Sequence, residues 1–155
     1  MGALVVPQAA IDLAKRFEGF KRKAKRGAEI TAIPYICPAG FWTIGYGHLC
    51  DPKHPPITEA EAEIYLALDL QIALVATLRY CPVLATEREG RLAAIVDFTF
   101  NLGAGRLLTS TLRRRVNQMD WRSSAFELTR WIYGGGKVLP GLTARRCAEA
   151  ALLHA

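Results

Sequence analysis

Residues 35–50, "YICPAGFWTIGYGHLC", set the strongest limit on how this chain folds. They crowd aromatic and β-branched residues around three glycines and a "CPAG" turn signal, the pattern of short strands joined tightly. With "AEITAIPYI" before it, this stretch predicts a small antiparallel sheet containing a hairpin. Most of the remaining chain carries helical periodicity instead. Ala10, Leu13/Ala14 and Phe17 give a first helix one apolar stripe, with Gly19 as its stop. Thr58 followed by Glu61 is a capping box, so a long helix should start there. Residues 92–100 are nearly all apolar, which predicts a buried central helix ended by Gly103 and Gly105. Two shorter helices follow, then "GGGKVLPGL" as a loop, then a final helix with Thr143 as its N-cap. The fold class is therefore α+β. We expect one domain over 1–155, with a β-subregion about 20–50 and a helical body about 57–155.

Composition narrows the setting. The chain has 155 residues, enough to bury a core without staples. No apolar run approaches the ~18–20 residues of a membrane span. The N-terminal "MGALVVPQAAIDLAKRF" has no basic region ahead of its apolar start, so no signal peptide is expected. The net charge of +6 gathers in "KRFEGFKRKAKR" and "LRRRVNQ" and points to an anionic partner. Nucleic acid, an acidic surface polymer or anionic lipid would each fit on charge. The basic segments hold no recognition module for nucleic acid, so none is expected as a partner. Cys37, Cys50, Cys81 and Cys147 form no CxxC pair and no zinc spacing, so neither metal nor cofactor is expected. One disulfide would be compatible with this count, its pairing left open.

Glu18 is the first candidate for chemistry. It follows Phe17 at the end of the apolar stripe, where partial burial favours the protonated form that a general acid needs. In the hairpin, Thr43 lies between Trp42 and Ile44, so its hydroxyl points away from both and could hold a water. His48 reads as a structural histidine.

Together, "FEGF" and "Y-x-C-P-A-G-x-x-T-I-G-Y-G-H" resemble the signature of the phage-type lysozymes, glycoside hydrolase family 24. The downstream pieces "ITEAEAEIYLALDL", "FNLGAGRLLTSTLRRRVNQMDW" and "LPGLTARRCAE" are similar to the family's later helices, in order, so the likeness spans almost the whole chain. It implies a lysozyme-like fold and muramidase activity on the β-1,4 bond between N-acetylmuramic acid and N-acetylglucosamine in peptidoglycan. It also implies roles. Glu18 would be the general acid, Cys37 would stand in for a second carboxylate, and Thr43 would position the attacking water. Asn101 and Trp42 would contact substrate, and His48 would pair with Asp69. Arg145 or Arg146 would lie close enough to Glu18 to influence it. A phage endolysin of this kind would be a monomer, held in the host cytoplasm until a holin-type pore releases it to the periplasmic wall. Its basic surface would favour anionic cell-envelope polymers. Eighteen residues separate Glu18 from Cys37, more than the family usually has. The extra, basic ones would extend the first strands or form a surface loop, at small entropic cost. Two other functions compete: a non-catalytic peptidoglycan-binding module that keeps the fold, and a lytic transglycosylase, which needs chiefly the Glu. Retention of Glu18, Cys37 and Thr43 together argues against a degenerate copy.

Overall fold

The computed structural model describes residues 3–155. Among the described residues, seven α-helices and eight short strands form two compact units, one of residues Ala14–Asp69 and one of Leu70–Ala155 with residues 3–13. The fold is mixed α+β.

Helix α1 (Gln8–Glu18) ends where Gly19 takes a left-handed φ of 68°, and the Gly19 amide donates to Lys15 O. The basic insertion then pairs with the segment that follows it. Strands β1 (Lys23–Arg26) and β2 (Glu29–Ala32) form an antiparallel hairpin, and β2 continues the sheet to β6 (Ile57–Thr58). A second sheet has the order β3 (Tyr35–Ile36), β4 (Trp42–Ile44), β5 (His48–Leu49). The single small sheet expected from sequence is thus two. The break falls at Ile33–Pro34, since proline has no amide to donate to a ladder.

Helix α2 (Glu59–Tyr80) opens on the capping box: Thr58 Oγ1 accepts from the Glu61 amide at 3.1 Å, and the Thr58 amide donates to Glu61 Oε1. Gly45 allows β4 to approach this helix closely. A Cβ at position 45 would lie 2.8 Å from Ala62 Cβ. Tyr46 hydrogen-bonds Glu59 at 2.7 Å, and the His48 ring stacks on Tyr65 at 4.4 Å between centroids.

In the helical unit, a 3₁₀ turn (Pro82–Thr86) leads into α3 (Glu89–Leu102), whose residues 93–99 are all buried. Then come α4 (Ala104–Thr109), α5 (Thr111–Asn117), α6 (Trp121–Leu128) and α7 (Pro140–His154). Leu84, Ile95, Phe98, Leu107, Leu112, Val116, Leu128 and Leu153 build one core, with α3 and α6 both packed on α7. Three expectations change here. Helix α4 resumes directly after Gly103, which ends α3 without ending the helical path. The presumed loop at 134–142 contains a hairpin, β7 (Tyr133–Gly134) with β8 (Lys137–Val138). Helix α7 begins at Pro140 rather than at Thr143, because a proline suits the first helical position, where its missing N–H is no loss. Thr143 lies inside the helix and donates back to Leu139 O.

Candidate active site

The hairpin β3–β4 places the first group of candidates. Its register pairs Tyr35 with Thr43 and Ile36 with Trp42. Side chains alternate across a strand, so Tyr35 and Thr43 share one face while Ile36 and Trp42 share the other. Burial agrees: Tyr35 and Thr43 are buried, Ile36 and Trp42 exposed. Trp42 therefore projects to the face opposite Thr43.

Cys37 is held by its backbone. Its amide donates to Phe41 O at 2.9 Å, and its carbonyl accepts from Gly40 N at 2.8 Å, closing the four-residue turn Cys37–Gly40. The thiol is half-buried at the mouth of that turn, and all four cysteines are free. Thr43 donates its hydroxyl proton to Tyr35 O at 3.2 Å. A hydroxyl has one donor and two lone pairs, so the bond leaves Thr43 as an acceptor, the role needed to orient a water.

Glu18, half-buried at the end of α1, lies against Gly47. A Cβ at position 47 would stand 2.9 Å from Glu18 Oε2 and 3.2 Å from its Cδ. Gly47 also has φ of 79°, which L side chains rarely adopt. The carboxyl group thus occupies the volume that any other residue at 47 would fill. Gly47→Ala is expected to displace it and lower turnover by about 10²-fold, the usual consequence of a misplacement near 1 Å. Turnover measured beside a thermal melt checks this. An active, equally folded variant would show that the carboxyl group needs no such berth.

Tyr35 links the group. Burial pushes its phenol above the ordinary value, the Thr43 hydroxyl opposes that, and the charges of Glu18 and Cys37 push it up further; Arg22 pulls it down. Both candidate reagents therefore act electrostatically on one buried ring. Sequence reasoning passed over Tyr35; its place in the motif was visible, but Glu18 reaches it from another element.

His48 Nδ1 and Asp69 Oδ2 lie 2.8 Å apart, on β5 and α2. Asn101, Arg145 and Arg146 belong to the helical unit. Arg145 forks onto Asp97 with bonds of 2.8 and 2.7 Å, both groups buried. Arg146 donates through Nη2 to Asn101 Oδ1 at 2.7 Å and to Glu149 Oε1 at 2.9 Å. Asn101 keeps its NH₂ as the donor side of the amide. Asp97 and Glu149 were not among the candidates, although an acid within the apolar run 92–100 was a signal for one of them.

Burial, opposed by Arg146 and reinforced by Asp97, holds the Glu149 carboxyl well above the usual carboxylate range. The folded protein thus retains a proton that the unfolded chain releases near pH ~4.3. Its contribution to stability is complete below that pH and declines as pH rises, by up to about 1.4 kcal/mol per unit. Glu149→Gln is expected to flatten this decline; melting temperatures of both proteins between weakly acid and weakly alkaline pH measure it.

The family model described as phage lysozyme matches residues 15–149, nearly the whole chain. The chain belongs to the phage lysozyme family. An endolysin of Acyrthosiphon pisum secondary endosymbiont phage 1 is 33% identical over 154 residues, covering 96% of this lysozyme and 97% of the relative. An endolysin of Bacillus phage B103 is 36% identical over 95% of this chain, which spans only 53% of that longer protein. Among solved structures, the muramidase domain of SpmX from Asticaccaulis excentricus superposes with a TM-score of 0.80 at 26% identity, covering 99% of each chain. This lysozyme is a peptidoglycan-degrading glycoside hydrolase. No helix among its described residues is long and apolar enough to cross a membrane.

Proposed function

We propose that this lysozyme cleaves the β-1,4 bond between N-acetylmuramic acid and N-acetylglucosamine with Glu18 as general acid, Cys37 in place of the second carboxylate and Thr43 orienting the water. The observation that supports it is Tyr35, which pairs with Thr43 in the register and on which Glu18 and Cys37 both act electrostatically. Glu18 protonates the departing glycosidic oxygen as the bond lengthens toward an oxocarbenium-like state. Thr43, its own proton committed to Tyr35 O, accepts from the water and aims its lone pair. Cys37 takes the proton that water loses, which inverts the anomeric centre. Asn101 supplies a donor for a substrate carbonyl. His48 and Asp69 brace β5 against α2 and take no part in proton transfer.

The protein acts as a single catalytic domain and a monomer. It reaches the periplasmic wall as an endolysin does, after a holin-type pore opens. A digest of purified peptidoglycan tests the reaction. Reducing N-acetylmuramic acid ends, released first as one anomer opposite to that of the substrate, are expected by mass spectrometry and NMR. Anhydro ends would identify a transglycosylase, retained configuration would make Cys37 the nucleophile, and no products would leave a binding module.

A further inference from the structure

The β1–β2 hairpin has a composition that catalysis leaves unused. Lys21, Arg22, Lys23, Lys25 and Arg26 face one acid, Glu29, which sits opposite Arg26 in the register. All five cations are exposed, and none closes an ion pair among the described residues. Only the root of the hairpin is covered: Thr31 and Ala32 are buried, while residues from Lys25 to Ile30 are exposed throughout. The tip is therefore a projecting cationic arm rather than part of a packed sheet.

The arm is not purely polar. Ile30, 54% exposed, is the cross-strand partner of Lys25, so an aliphatic group and an ammonium share one face at the tip. The chain leaves β2 through exposed Ile33 and enters β3, where Ile36 and Trp42 form an exposed cross-strand pair. A soluble polyanion needs only the charges. A tip that exposes an isoleucine beside its cations matches the boundary of a lipid bilayer, where headgroup phosphates meet acyl chains.

We propose that the β1–β2 arm docks this protein on anionic phospholipid bilayers, with Lys23, Lys25 and Arg26 on the headgroups and Ile30 at the acyl boundary. This inference does not rest on the catalytic roles assigned above. Docking of this kind keeps the protein at a membrane facing the cell wall, and increasing salt weakens it.

Co-sedimentation with vesicles tests it, using the full chain against mixed phosphatidylglycerol–phosphatidylcholine and against phosphatidylcholine alone. Each cation near an anionic surface contributes about fivefold in partitioning, so Lys23→Gln/Lys25→Gln/Arg26→Gln is expected to bind mixed vesicles about 100-fold more weakly. Ile30→Ser is expected to weaken binding further in high salt, where the charge contribution is screened. Hydrolysis of soluble peptidoglycan fragments should be unchanged in both variants, which also shows that they fold. Equal binding to both vesicle types, or unchanged binding by the triple variant, would overturn the proposal. Retention on soluble polyphosphate without vesicle binding would overturn it too, by making the arm a polyanion site.

Discussion

Glu18→Gln is expected to lower peptidoglycan turnover by about 10² to 10⁴-fold, the usual contribution of a positioned general acid. The amide is nearly isosteric with the acid, so it fills the space beside Gly47 and keeps the end of α1 as it is. What it loses is the transferable proton. Without that proton the sugar oxygen must depart as an alkoxide, a poor leaving group. Turbidity loss of purified walls gives the rate, and circular dichroism with a thermal melt shows that the fold persists. Retained lysis by the folded variant would remove Glu18 from the acid role.

The second large effect concerns Cys37. Cys37→Ala is expected to lose most activity, about 10²-fold or more, if the thiol takes the proton from water. Cys37→Asp should keep much of it, because the turn Cys37–Gly40 holds the backbone whichever side chain it carries. An unimpaired Ala variant would make Cys37 a packing residue.

Legibility in the sequence followed the range of the interactions. The capping box of α2 needs only Thr58 and Glu61, three residues apart, and it was readable. The apolar run 92–100 announced a buried helix through its own composition. The insertion was readable only as two alternatives, longer strands or a surface loop. "KRKAKR" has no apolar period, and its strand exists because Glu29–Ala32 returns beside it. The hairpin at 133–138 was hidden by glycines, which mark turns and loops alike. The site shows the same division. Cys37 and Thr43 stood in a recognisable motif, whereas the closeness of Gly47 to Glu18 joins residues 29 apart and follows only from the fold. Trp42 was a candidate for substrate contact; the strand's alternation turns it to the opposite face from Thr43.

The Asp97–Arg145 fork spans 48 residues and ties α3 to α7. Helix α7 also delivers Arg146, Glu149 and Leu153 to the interior, all fully buried. During synthesis, α3 through α6 emerge before the helix on which α3 and α6 pack. Until α7 clears the ribosome, Asp97 is a carboxylate without its cation, set in an apolar helix with an open flank. A chain stalled before Pro140 therefore lacks the helix on which α3 and α6 pack, and should be a substrate for chaperones and proteases rather than a partly working enzyme.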